Sequence, residues 1–477
     1  MPMNGTQFPA LAFALPLLRD MFCGTLSFAR ESSVKTFPIL LLALLVPLGI
    51  ACERDTSSRA SKTTSSANSS PAAAPATPIS GGSTSTVLTS STPASSAPAA
   101  SSLTSAQDWP LSRGNPQRTG EAADWTAQPP FRVAWSLETK ESIEAEAIVV
   151  EGVVYAGTAR GTLYALDLAT HAEKWKIQLE GGLNAAPCLA AGRLYVVDDG
   201  GKLLCLDPAN GKEIWHYATK SECHSSPVCD GNAAQTPRVL FGSYDQSLHC
   251  LDARAGRFLW KHETGGPVHC APAVFENHSF TAGCDSRLRC VDLTSGTLAW
   301  SLEMPSYAAA TPALRDGCLY VGHFGGQVIA VDLKQKKELW RYPTAAVEFP
   351  FYASCAVTAD YVIAGGRDKK VHGINRKTGE KAWIFQTKGD IDAAPCVGGG
   401  CVFVASKDGT LYVLDLKTGA EKWKYVAGAP FIASPALAQG RIVIGDAEGT
   451  LFCFAPKMKN GEEGEKDSPQ RRRDTEK

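Results

Sequence analysis

Two histidines of this chain, His224 and His269, each stand beside a cysteine, Cys223 and Cys270. Imidazole and thiolate together suit zinc or copper. No close-spaced ligand pair such as Cys-x-x-Cys accompanies them, so no metal centre is assigned. Two carboxylates, Glu144 and Asp392, could share acid–base work if the fold brought them together. Neither has a nucleophile at a defined spacing, so no catalytic residue is assigned and the chain reads as a non-enzyme. The formal net charge of -1 gives no electrostatic reason to expect a nucleic-acid partner.

What would position these groups is a repeat. Tryptophans stand at 135, 175, 215, 260, 300, 340, 383 and 423, spaced by 40 to 45 residues. That period, with strand-like alternation inside each unit, marks a β-propeller blade. Each unit opens on an Ala/Ser/Thr-Pro step, as at Pro187 and Pro435, and continues with an apolar strand such as Arg-Leu-Tyr-Val-Val from Arg193. A polar turn leads to a strand of the type Gly-Thr-Leu-Tyr-Val-Leu-Asp. A Lys-Thr-Gly turn then leads to the strand bearing the tryptophan. Third strands of this type begin near 161, 201, 246, 286, 326, 369, 409 and 449, one for each tryptophan. Trp135 has no such strand before it, and the strand at 449–455 has no tryptophan strand after it. The expected fold is therefore all-β. It is an eight-bladed propeller of four-stranded antiparallel blades, closed by the N-terminal strand joining the last blade, which removes exposed sheet edges. Each tryptophan is expected to dock on the neighbouring blade near its turn glycine and lock the ring.

Aligned on the proline step, one residue per blade rims a single mouth of the channel: Glu144, Asn184, His224, His269, Ala309, Tyr352, Asp392 and Ile432. The turns between second and third strands open on the same face and carry Arg160, Asp199, Tyr244, Asp285, His323, Phe324, Arg367, Lys407 and Glu448. Of these, Glu144, Asn184, His224, His269, Tyr352 and Asp392 are the candidate ligand- or partner-binding residues, on loops that a constant frame leaves free to vary.

The unit Leu-Asp-Leu-Lys-Thr-Gly-Ala-Glu-Lys-Trp-Lys-Tyr at Leu414 resembles the tryptophan-docking repeat of the quinoprotein (PQQ-like) propeller family. It is equally similar to the lipoprotein propeller of the outer-membrane β-barrel assembly machinery. The resemblance spans 131–456, and Asp108–Gly120 looks like the opening motif of envelope proteins with this repeat. One branch of it implies a scaffold for envelope proteins or extended peptide segments, acting as a monomeric propeller. The other implies an oxidoreductase, or a sensor, holding pyrroloquinoline quinone and Ca²⁺. The enzymes use adjacent cysteines, a tryptophan beneath the cofactor, Glu and Asn on the calcium, and an Asp base. This chain has no adjacent cysteine pair and no tryptophan displaced from the repeat, so no cofactor is expected. A third reading is a carbohydrate or small-ligand module in which Tyr244, Phe324 and Tyr352 stack on the ligand.

Residues 37–51 form an uncharged apolar run behind Arg30 and Lys35, followed at once by Cys52. The run is short for a spanning helix and has the length of a signal-peptide core. Leu-Gly-Ile-Ala-Cys is similar to a bacterial lipobox, with Gly49 where that motif has an aliphatic residue, and implies lipidation at Cys52. A second apolar run lies within residues 1–20, which leaves Met21 as an alternative start. The expected organisation is a signal at 1–52, a disordered Ser/Thr/Ala/Pro linker at 53–107, the propeller at 108–456 and a disordered charged tail at 457–477. Export to the cell envelope, anchored and facing the periplasm, follows from it. The propeller cysteines alternate with small apolar residues at repeat positions, as at Ala165, Cys205, Cys250, Cys290, Ala330, Gly373, Val413 and Cys453. Most are expected to be buried free thiols. Cys396–Cys401 and Cys284–Cys290 are the pairs near enough in sequence to consider for bridging.

Overall fold

A computed structural model describes residues 107–230, 237–345 and 347–457. The proposed signal, nearly all of the linker and the charged tail, with Cys52, lie outside the described residues, as does most of the small insertion after Asp230. The described chain forms eight sheets, each built on four antiparallel strands that run from the axis outward, in sequence order except that the last blade takes its outer strand from the start of the ring. Blade 1 runs Ile148–Gln178, blade 2 Cys188–Ala218, blade 3 Val228–Glu263 and blade 4 Ala273–Glu303. Blade 5 runs Ala313–Tyr342, blade 6 Ala356–Gln386 and blade 7 Cys396–Val426. Blade 8 combines Ala436–Pro456 with the early strand Phe131–Glu138. That early strand pairs antiparallel with Thr450–Pro456, setting Trp135 opposite Cys453 and closing the ring as expected from the sequence.

Burial explains the two kinds of sequence pattern. The second and third strands lie between neighbouring blades on both faces and read as continuous apolar runs, as in Cys401–Ala405 and Thr410–Asp415. The outer strands face water on one side and alternate, as in Glu173–Gln178. In blades 1, 2, 5, 7 and 8 the first and second strands join through two-residue turns in which both central residues have positive φ, as at Ala191 (51°) and Gly192 (70°). This is the type I′ geometry that matches strand twist.

The tryptophan seams repeat one design. Trp383 Nε1 donates to the Leu416 carbonyl of the next blade at 2.9 Å. A Cβ added at Gly419 would meet that indole at 2.5 Å, so the turn glycine is needed for both its φ of 72° and its flatness. Trp135, Trp175, Trp215, Trp260 and Trp340 make the same indole-to-carbonyl bond. Trp300 packs against Phe280, and Trp423 against Phe131 and Phe454. Directly across from each tryptophan on the third strand stands the small-residue position: Cys250 faces Trp260 and Gly373 faces Trp383. In blade 6 the indole sits so close that a Cβ on Gly373 would lie 2.2 Å from it, which is why this blade carries glycine there. All thirteen described cysteines are free. Cys396 Sγ turns to the Pro435 carbonyl while Cys401 Sγ lies near Gln128 and Lys422, so that pair is not set up for bridging.

Before the ring begins, residues 107–122 run through the inside of it. The free edge of each first strand would otherwise leave unpaired N–H groups along the channel. This segment, here called the clasp, satisfies them. Val149, Leu189, Val274, Leu314, Val357 and Val397 donate to the carbonyls of Trp109, Pro110, Pro116, Gln117, Thr119 and Gly120. Gln439 of blade 8 donates to Gln107, and Glu121–Ala122 adds a parallel strand inside blade 7. Blade 3 is reached by a side chain: Arg118 donates to the carbonyls of Ser226 and Pro227.

Candidate functional site

In six blades the chain passes the rim residue and meets the clasp five residues further on, as from His269 to Val274. The rim residues lie away from the clasp and are partly exposed, as at His224, His269, Tyr352 and Asp392; their side is here called the open mouth, and the clasp side the sealed one. At the open mouth the structure brings together a crescent from blades 3 to 7. The His224 ring lies 5.9 Å from the His269 ring and 5.1 Å from Tyr244. Tyr244 Oη is 2.8 Å from His269 Nδ1, and Tyr352 Oη is 3.5 Å from its Nε2. Burial, with the neighbouring His224, holds His269 down to about 4, so it is neutral at pH 7. A neutral ring that accepts the Tyr244 hydroxyl proton at Nδ1 carries its own proton on Nε2, facing Tyr352.

Tyr352 continues the crescent. Phe324 lies edge-on to it at 5.9 Å, and Tyr307 stacks on Phe324 at 4.3 Å. The Arg367 guanidinium stands 4.5 Å from the Tyr352 ring centroid, a cation–π distance. Arg367 also grips Asp392 with two bonds, 2.8 and 3.1 Å, and Lys407 Nζ reaches the same carboxylate at 2.5 Å. Burial pushes the Asp392 carboxyl up, but the two cations outweigh it and hold it below the ordinary range. Asp392 is thus a neutralised anchor and not half of a carboxylate pair with Glu144, which is exposed and accepts the Ser142 hydroxyl. Asn184 sits half-buried with no hydrogen-bond partner for Oδ1 among the described residues. Ala309 and Ile432 bring no polar group.

Other expectations need correction. His323 is not on the open face. It is fully buried at a strand end, its Nδ1 accepts the Gly325 N–H at 3.0 Å, and burial lowers it to about 4. Cys223 and Cys270 do not join the two imidazoles: Cys270 Sγ donates to Ala282 O at 2.8 Å and Cys223 Sγ to Ser221 O at 3.8 Å. Asp285 is paired with Arg289.

The sealed mouth holds polar groups that sequence reasoning passed over. Glu146, on blade 1, accepts from Trp109 Nε1, from Ser112 Oγ at 3.0 Å and from the Arg113 amide at 3.0 Å. Burial pushes its carboxyl above the ordinary 4.5, opposed by Arg113 and these bonds. The Arg113 guanidinium donates to the carbonyls of Ala394, Cys355 and Pro395. Arg118 donates to Pro272, Ser112, Ser226 and Pro227 at 2.8 to 3.1 Å, and burial lowers it to about 10. The signal was present: Glu146 occupies a slot where other blades carry Ala, Ser or Thr. A second missed pattern is an Asp in the turn bonding the residue four places on. It appears as Asp245–His249, Asp285–Arg289, Asp368–His372 and Asp408–Tyr412.

With this geometry in hand, comparison with known proteins decides the family. The family model described as outer membrane protein assembly factor BamB matches residues 132–234, 204–367 and 367–462. The chain belongs to this family. Among solved structures, BamB from Moraxella catarrhalis is 18% identical, with a TM-score of 0.59, covering 70% of this chain and 100% of that one. A quinohemoprotein alcohol dehydrogenase from Comamonas testosteroni is 15% identical, with a TM-score of 0.63, covering 76% of this chain and 83% of that one. At these identities the likeness is one of fold. Quinohemoprotein alcohol dehydrogenase ADH IIB of Pseudomonas putida is 35% identical over 86 residues, 16% of this chain and 12% of the dehydrogenase. The chain therefore spans about an eighth of the length of that relative.

Proposed function

We propose that this protein is a non-enzymatic propeller of the cell envelope that offers its open mouth to protein or extended peptide segments, in the service of outer-membrane protein assembly. The observation that carries the reading is the contrast between a mouth filled by the clasp and an open one lined by a pre-paired aromatic and ionic crescent. Aromatic rings and a shared-carboxylate cation pair on a rigid frame bind at low ordering cost. Membership of the assembly-factor family supports the same direction. Anchoring through Cys52 would hold the propeller at the membrane, since one acylated cysteine bearing two chains gives stable attachment.

The residues at this mouth do not fit a quinone cofactor. The repeat tryptophans are committed to the seams, the two rim cysteines turn into the blades, and Asp392 is neutralised by Arg367 and Lys407. The test pairs two measurements. Photo-crosslinking from position 324 or 352 in intact envelopes is expected to give polypeptide adducts, absent when the probe stands at exposed Lys176. Calorimetric titration with pyrroloquinoline quinone, with and without Ca²⁺, is expected to show no saturable heat. Micromolar quinone binding, or a mouth that crosslinks no polypeptide, would overturn the reading. Unchanged outer-membrane protein levels in a deletion strain would remove the assembly role alone.

A further inference from the structure

The clasp has the properties of a bound ligand. The ring is closed without it, by the strand Phe131–Glu138 on the last blade, so the clasp supplies no blade strand that another element lacks. Its main-chain bonds run to the free edges of first strands in six blades and to the turn at Gln439 in blade 8, the way an added strand docks on a sheet edge. Its side chains enter three built pockets. Trp109 and Ser112 meet the buried Glu146 carboxylate. Arg113 enters a cradle of carbonyls from blades 6 and 7, with Cys396 Sγ at 3.3 Å. Arg118 enters a second cradle of carbonyls from blades 3 and 4. Both guanidinium groups are almost completely buried. A planar fork of donors matched to fixed carbonyls discriminates arginine from lysine or an apolar side chain. Gly114 and Gly120 are fixed by the same fit: a Cβ on Gly114 would lie 2.8 Å from the Trp109 ring, and one on Gly120 would overlap Arg113.

The junction to the ring is also built for separation. Ala123 and Asp124 form an exposed turn, and the next anchor, Trp125, belongs to the ring, packing edge-on to Phe403 at 5.6 Å. We propose that the sealed mouth is a peptide-recognition site, filled here in cis by residues 107–122. It would accept in trans an extended peptide of the same chemistry: a tryptophan followed, four and nine positions on, by two arginines. The natural source of such a peptide is a second copy of this chain. The site is distinct from the open mouth and does not depend on the function proposed for it.

The test inserts a protease site between Ala123 and Asp124 of the full chain. After cleavage the clasp is expected to co-elute with a ring that keeps its far-ultraviolet circular dichroism. It should then exchange, saturably, with a fluorescent synthetic peptide spanning residues 105–122. The same peptide carrying Arg113→Ala and Arg118→Ala should bind at least about tenfold more weakly, given the strength of charged hydrogen bonds in a dry site. Uncleaved protein should not bind the peptide. Three results would each overturn the proposal. The ring could lose its fold on cleavage, the clasp could stay without exchanging until the ring unfolds, or it could leave a folded ring that does not rebind it.

Discussion

Each mouth of the ring holds a cluster of two cations and one carboxylate, and the two clusters work differently. At the open mouth Arg367 and Lys407 share Asp392, with the cations about one-third exposed. At the sealed mouth Arg113 and Arg118 accompany Glu146, all three nearly inaccessible. In the wet set the carboxylate is the hub and its partners are side chains. In the dry set the guanidiniums are the hubs and their partners are mostly main-chain carbonyls. Fixed dipoles from several blades can satisfy a buried cation without a matching anion for each, which is how an excess positive charge is tolerated in the core. The lesson is that the same residue types serve recognition where water can replace a partner, and ring assembly where it cannot.

The comparison can be broken most sharply with Arg118→Met against Arg367→Met. The first strands the carbonyls of four residues in a dry site and is expected to cost about 3 kcal/mol or more. The second removes a one-third-exposed cation from a carboxylate that Lys407 still pairs, and should cost less, about 1 kcal/mol. Urea unfolding of both variants measures the difference, and equal losses would mean that the clasp does not tie the ring together. Next in size, Trp109→Phe removes the indole donor from the buried Glu146, with an expected loss of about 1–2 kcal/mol. Tyr352→Phe at the open mouth, where the hydroxyl contact is 3.5 Å, should stay within about 0.5 kcal/mol.

Dependence on pH gives a subtler contrast, because the two mouths should respond with opposite signs. The Glu146 carboxyl is raised in the fold, so its contribution is fully present below the ordinary 4.5 and is lost as pH rises through the raised value. Glu146→Gln should flatten that decline. His269 is lowered from 6.5 to about 4, so its contribution is present above 6.5 and is lost as pH falls toward 4. His269→Gln should flatten the acid limb instead. Buried His323 adds to the acid limb with the same sign, so a residual slope is expected in that variant. Unfolding midpoints across pH 4 to 8 test both, and slopes of the same sign for the two variants would contradict the assignment.

Much of the ring could be read from the chain because a blade repeats. The Trp spacing, the glycine at turns such as Gly419 and the small residue facing each indole recur in register, so errors at one blade are corrected by the others. The open mouth was partly readable for the same reason: His224, His269, Tyr352 and Asp392 do converge on one rim. Their pairing was not readable. Asp392 looked like a partner for Glu144, yet Arg367 and Lys407, which come from the turns of blades 6 and 7, reach it first. His323 looked like a rim residue because it adjoins Phe324 in the turn. Its slot is buried in the other blades too, as at Thr158, Asp198, Ser243, Ser406 and Asp446.

By itself, then, the sequence determined the number of blades, their strand order and the ring closure, because each follows from local period and from contacts between consecutive units. Only the tertiary structure decided what residues 107–122 do. Arg113 and Arg118 stand in a short polar segment with no periodicity, and their partners lie as far away as Ala394, Pro395 and Cys396. Those partners are chiefly main-chain carbonyls, which every residue possesses. No pattern of side chains announces such a cradle until the ring has closed around it.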